Sequence, residues 1–213
     1  MLAWYFAREN NRLNHGDDRL IEIGKMHTVK HKPVLCKKGL HGSVNVLDAL
    51  KYAPGSMLYR VDITRNVQIG DDKICGQRRK YLNGFNVTDV LRQFARNQAL
   101  INIEKIKPYC SDSQYELIIE WLNTGNPELR VVAQGAAYAV VQSTAQSTVQ
   151  FVARAVVQST AQSTVQSTVL FVARSTALST TRAAALSAIL PDARSTANEM
   201  LTEMVEAAML KIA

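Results

Sequence analysis

Between residues 136 and 190 the chain has no glycine and no proline, and between residues 133 and 181 its only charges are Arg154 and Arg174. Glycine and proline are the strongest signals of turns, and a β-solenoid or an array of strands needs turns. Their absence excludes both architectures over this stretch. Cysteine is scarce as well: Cys36, Cys75 and Cys110 form no CxxC pair and are odd in number. That argues for a reducing cytosol over a disulfide scaffold. Ser, Thr and Gln interrupt every apolar run before it reaches the length of a membrane span, so no membrane contact is expected. The apolar start, Met1 to Phe6, is short, lacks a basic leader and runs straight into Arg8 and Glu9. It reads as a strand rather than a signal peptide. There is no GxGxxG fingerprint and no phosphate-binding loop.

What the C-terminal stretch does contain is a tetrad. Every fourth residue from Ala133 to Ala213 is apolar except Thr181, and most are Ala or Val. Four residues advance about 400° around an α-helix, so such a column forms one stripe that drifts by roughly 40° per tetrad. A single rod would carry this stripe around itself; several helices packed on one another satisfy the drift more easily. Small residues on the seam let their backbones approach closely. The Gln142-Ser143-Thr144 unit recurs at multiples of four, and Phe151-Val152-Ala153-Arg154 returns as Phe171-Val172-Ala173-Arg174, the mark of tandem duplication. A final helix is expected to open at Pro191-Asp192, with Met200, Leu201, Met204, Val205, Ala208, Met209 and Ile212 as its apolar stripe and Glu199, Glu203 and Glu206 opposite.

The first part of the chain has a different grammar. Residues 2–6 and 20–23 read as strands around a polar turn that includes His15, and are expected to pair or to lie side by side in one sheet. The clearest strand is 57–63, with Leu58, Arg60 and Asp62 on one face and Met57, Tyr59, Val61 and Ile63 on the other. Ser43 or Asn45 caps a short helix over 46–52 that Ala53-Pro54-Gly55 ends. Residues 67–69 extend the sheet, and another strand, Ile74-Cys75 with Tyr81-Leu82, is expected around the basic cluster Arg78-Arg79-Lys80. Helices follow over 89–106, which Pro108 stops, and from Ser111 or Asp112 to Asn123-Thr124-Gly125. A third starts at Asn126-Pro127-Glu128. The fold class is therefore α+β: a small mixed, mainly antiparallel β-rich head over 1–83, then an all-α domain over 84–213. The latter comprises linker helices (84–130), tetrad-repeat helices (131–190) and the terminal helix (191–213).

The formal net charge of +7 is unevenly placed. Residues 25–80 hold twelve basic and four acidic side chains, a density that attracts a nucleotide, nucleic acid or another polyanion. His27, His31, Cys36 and His41 lie in the same region, but their spacings fit no standard zinc module. Cys36 and His41 as nucleophile and base lack a third, orienting group. No metal and no resident cofactor is expected.

The cassette Cys36-Lys37-Lys38-Gly39-Leu40-His41-Gly42-Ser43, followed by Asp48-Ala49-Leu50-Lys51-Tyr52-Ala53-Pro54-Gly55, resembles the head of a phage- and prophage-encoded family. Asp72-Lys73 looks like that family's aspartate-lysine step. Phe94-Ala95-Arg96, Trp121-Leu122 with Thr124-Gly125, and Glu128-Leu129-Arg130 are similar to its helical linker, and the Ala tetrads to its C-terminal array. The chain departs from it in carrying Gln-Ser-Thr units where Ala, Arg and Trp are usual. The resemblance implies a phage or bacterial origin, in the cytoplasm of the host cell. The small-residue seam of the repeat and the lack of a complete catalytic set lead to the expectation of a non-enzymatic phage accessory or interaction protein, a homo-oligomer or the partner of a host or phage protein through the helical array. A fainter resemblance links Gly39-Leu40-His41-Gly42-Ser43 to the histidine-bearing core of ADP-ribosyltransferase folds. It implies a nucleotide-binding head in which His41 meets a ribose, Ser43 and Tyr52 line the nicotinamide pocket, and Lys73 or Arg78 meets phosphate. The glutamate that carries transfer in that family has no counterpart here.

Overall fold

Met57–Thr64 (β4) is the centre of the first sheet, and its alternation decides which side chains enter the core. A computed structural model describes residues 1–13, 16–101, 103–143, 147–159 and 186–212. It shows the expected α+β class, antiparallel sheets followed by helices. The chain forms two compact units, Met1–Thr88 with Leu201–Ala213, and Asp89–Met200.

In the first unit, Leu2–Ala7 (β1), β4, Arg78–Asn86 (β7) and Met26–Thr28 (β2) form one antiparallel sheet in the order β1-β4-β7-β2. A second sheet has the order β3-β6-β5, from Leu40–Gly42 (β3), Ile74–Gly76 (β6) and Gln68–Ile69 (β5). Tyr59, Val61 and Ile63 of β4 join Ala3, Ala7 and Tyr81 in a buried cluster that also takes Leu40 and Ile74 from the second sheet. Gly42 makes the close approach of the two sheets possible. A Cβ there would stand 3.0 Å from Ile63 Cδ1 and 3.1 Å from the Trp4 carbonyl.

Two expectations for this unit change. Residues 20–23 form no strand; β1 pairs with β4 instead, and only an isolated bridge, Arg12 to Leu20, marks the expected hairpin. The long-range partner wins because β4 offers six paired residues with an apolar inner face. The basic cluster lies not in one strand with Ile74 but in the separate and longer β7, which pairs with both β4 and β2. The β4–β7 register shifts between Arg60 and Val61, where Asn83 and Tyr81 are the respective partners. Leu82 is thus the extra residue of a β-bulge. Beyond it Gly84 sits opposite Tyr59, whose ring lies over the bare backbone.

The second unit is helical. Thr88–Leu100 (α2) gives way to a 3-10 helix, Ile103–Tyr109, that contains Pro108, so the expected single helix to residue 106 ends early. Asp112–Thr124 (α3) has the Ser111/Gln114 capping box and a left-handed Gly125 at its end, as its cap residues predict. Arg130–Ser143 (α4) packs on α3 and on Ser147–Ser159 (α5). The tetrad column faces inward wherever its burial is described in these two helices: Ala133, Ala137, Val149, Ala153 and Val157 are buried, and Val141 is half-buried. Two packed helices thus replace a rod over 130–159. The repeat between 160 and 185, including Arg174, lies outside the described residues, as does His15. Leu186–Leu210 (α6) continues through Pro191, so no break occurs there. Proline there removes the N–H that would otherwise bond the Ser187 carbonyl, without ending the helix.

The glycine opposite Tyr59 gives a direct check. A Cβ on Gly84 would lie 2.3 Å from Tyr59 Cδ1, so Gly84→Ala must displace the ring, and overpacking of this kind costs about 1–3 kcal/mol. Gly135 in α4 has nothing within 4 Å of its added Cβ, and alanine there is expected to stabilise by about 0.5–1 kcal/mol through helix propensity. Chemical denaturation of the two variants should move in opposite directions.

Candidate functional site

β3 is short, yet three sets of bonds fix it. It pairs with β6, placing His41 opposite Cys75. The Ser43 N–H donates to the Trp4 carbonyl at 2.9 Å and the Trp4 N–H returns to Ser43 at 2.7 Å. The His41 carbonyl accepts from Arg79 Nη1 at 2.6 Å. Alongside this strand opens a cavity of about 560 Å³, within the range of small-molecule sites.

The cavity brings together His41, Ser43, Tyr52 and Lys73. Arg78 is not among its lining residues; its neighbour Arg79 is. The reason is strand geometry, because successive side chains point to opposite faces. Arg78 and Lys80 are exposed, while Arg79 and Tyr81 turn inward with 2 % and 0 % exposure. The alternation was present in the sequence, but a run of three cations hides it. Tyr5 and Tyr81 were not singled out, and His27 was weighed only as a metal ligand, because their meeting depends on the sheet order β1-β4-β7-β2.

Arg79 is held on several sides. Its Nε and Nη2 donate to the Tyr81 hydroxyl at 3.0 and 2.8 Å, and its guanidinium carbon lies 3.6 Å from the centroid of the Tyr5 ring. His27 Nδ1 is 3.0 Å from the same hydroxyl. No carboxylate lies in ion-pair range of Arg79 among the described residues. The cavity wall also carries Lys37, Lys38 and Lys73 against a single acid, Asp17. Asp17 is already engaged: Arg19 donates to its two oxygens at 2.8 and 2.6 Å, which holds its carboxyl below the usual range against the opposing pull of burial.

At the mouth, Tyr52 ties the segment after the short helix Val46–Leu50 (α1) to the turn between β5 and β6. Its hydroxyl donates to Asp72 Oδ2 at 2.6 Å, and Lys73 Nζ sits 4.0 Å from its ring centroid. Lys51 spans Asp48 and Asp72 at 3.2 and 3.5 Å. The Tyr52 hydroxyl, and after it Lys51 and Lys73, keep the Asp72 carboxyl below the usual range, against burial. Lys73 is raised, first by its bond to Tyr52 and then by Cys36, with burial opposing.

Asn45 is the residue before α1 but makes no side-chain cap; its amide instead donates to Asp48 at 3.2 Å. Among the described residues no group of three His, Cys, Asp or Glu side chains is placed to hold a metal ion, and no helix is long and apolar enough to cross a membrane.

No protein-family model, no curated protein and no solved structure matches the chain. The geometry therefore carries the functional argument by itself. The wall is cationic, part aromatic, and supplies no free carboxylate among the described residues. Its charge suits recognition of an anion.

His27 gives this site a pH signature. Burial, followed by the Arg19 and Arg79 charges, pushes its imidazole below the ordinary value of 6.5, against smaller pulls from the Leu20 backbone and Asp17. The unfolded chain takes up a proton near the ordinary value while the folded one resists. This contribution is therefore complete above that value and is lost as pH falls through the depressed folded one. Urea unfolding midpoints should drop on acidification from about pH 7.5 to about pH 5.5, and drop less in His27→Gln.

Proposed function

We propose that the head unit is a binding module for a small phosphate-bearing ligand of the nucleotide class, with Arg79 as its anion anchor. One observation carries this reading: a guanidinium with 2 % exposure lines a cavity and is bonded only to neutral oxygens among the described residues. Burying a cation without a counter-charge is costly, and an anion in the cavity supplies that charge. Lys73 at the mouth and Lys37 and Lys38 on the wall add to the attraction. His41, Ser43 and Tyr52 offer polar and aromatic contacts for the rest of such a ligand. No reaction is assigned to the site.

Titration calorimetry with inorganic phosphate, pyrophosphate, AMP, ADP and NAD tests the proposal. At least one phosphate ligand is expected to bind. Loss of a hydrogen-bonded charge, about 1.5–3 kcal/mol, makes Arg79→Ala weaker by roughly ten- to a hundredfold. Lys73→Ala weakens it less, and Arg78→Ala leaves it unchanged. Silence of the whole panel, or equal losses in Arg78→Ala and Arg79→Ala, would sink the proposal; equal losses would instead point to a polyanion on the outer face of β7.

A second reading concerns the helices: a non-enzymatic phage accessory protein that assembles with itself, or with a host or phage protein, through its array. It is favoured by Val131 and Tyr138, seven residues and so two turns apart on α4, which are 65 % and 50 % exposed. Light scattering should then report an oligomer that Tyr138→Glu dissociates; a monomer at every concentration removes self-assembly.

A further inference from the structure

Around Arg79 the hydrogen bonds can be counted. Tyr81 Oη receives Arg79 Nε at 3.0 Å and Nη2 at 2.8 Å. A phenol oxygen has two lone pairs and one proton, so both acceptor positions are taken and the proton must go to the third neighbour. That neighbour is His27 Nδ1 at 3.0 Å. Nδ1 is therefore an acceptor, and the ring is neutral with its proton on Nε2. Burial keeps the Tyr81 phenol protonated, raising it against the lowering effect of Arg79.

The arrangement restricts Arg79 severely. Its Nε–Nη2 edge converges on one oxygen, Nη1 is spent on the His41 carbonyl at 2.6 Å, and the Tyr5 ring lies against its plane. One N–H on each of Nη1 and Nη2 is left over, on a side chain that lines the cavity.

We infer that Tyr81 and His27 are positioning residues for the anion site, and that only neutral His27 holds Arg79 in the binding orientation. Protonated Nδ1 would bring Tyr81 a third donor and leave the phenol proton without an acceptor. It would also set a second cation beside Arg79, its cross-strand partner in β2–β7 pairing. The other charged or titratable groups facing this cluster are Arg19 and Asp17 from the segment before β2, Tyr5 from β1 and Tyr59 from β4. Asp17 is held low, Tyr59 is raised by burial, and arginine stays charged. His27 is thus the member of the cluster that changes charge between about pH 5 and pH 8.

The inference rests on the anion-binding reading, and two measurements separate the fates of the two. Long-range proton–nitrogen NMR of the ligand-free wild-type chain at neutral pH should show His27 with its proton on Nε2; a proton on Nδ1 overturns the inference whatever binds. Calorimetry with NAD, whose phosphates are diesters and keep their charge, should show affinity falling at least about tenfold from about pH 8 to about pH 5. His27→Gln, which retains a neutral acceptor, is expected to bind as wild type at the higher pH and to lose the pH dependence. Tyr81→Phe should bind weakly at both. A flat wild-type profile overturns the inference and leaves the binding site standing. If NAD fails to bind any variant, the coupling to NAD binding is overturned, and the NMR result alone decides whether the clamp exists.

Discussion

A guanidinium taken out of water must be matched by acceptors and, in the end, by charge. Arg79 receives acceptors from Tyr81 and His41 and an aromatic face from Tyr5, but no carboxylate among the described residues. Much of the head is arranged around this constraint. β7 must run between β4 and β2 so that Arg79 lies across from His27 on one side and Ile63 on the other. β3 must approach closely enough for its carbonyl to accept from Nη1, which Gly42 allows by bringing no side chain between β3, Ile63 and the Trp4 carbonyl. The same guanidinium that organises the core also makes its adjoining cavity attractive to an anion.

The helical unit solves a different problem with simpler means. Alanine and valine on a four-residue column give each helix a narrow apolar stripe, and the buried members of α4 and α5 show that stripe turned inward. Trp121 supplies the bulk that the small residues lack; its ring nitrogen donates to Ser159 Oγ at 3.4 Å, and Arg96 lies over its face at 5.9 Å. Gly125 ends α3 in a left-handed turn whose bare Cα leaves room for the same guanidinium, since a Cβ would come within 2.6 Å of Arg96 Cζ. A cation packed near the C-terminal carbonyls of a helix also interacts favourably with its dipole.

Local features were legible along the chain because they obey local rules. The alternation of β4, the capping box at Ser111 and the left-handed glycine at 125 each follow from neighbours within a few residues. The grouping of His41, Ser43, Tyr52 and Lys73 was expected only from a resemblance, and pairing of β3 with β6, not spacing, brings the region together. Pairing partners were less legible. Residues 20–23 had the right composition for a strand, yet β4 took β1, since a longer apolar face outweighs a nearer neighbour. Pro191 reads as a helix start, whereas α6 passes through it.

The sequence by itself determined the α+β class, the head-then-helices order, the inward tetrad stripe and a basic region around a histidine-bearing turn. Each of these is a matter of composition or of period, and period is set by backbone geometry alone. Tertiary structure decided which cation belongs to the cavity. Arg78, Arg79 and Lys80 are neighbours of the same chemical kind, and only the pairing of β7 with β2 and β4 turns one of them inward. The bulge at Leu82 then sets Gly84, rather than a side chain, against Tyr59. Those choices rest on pairings such as Thr64 with Arg78 and Met26 with Lys80, far apart along the chain, which no local pattern encodes.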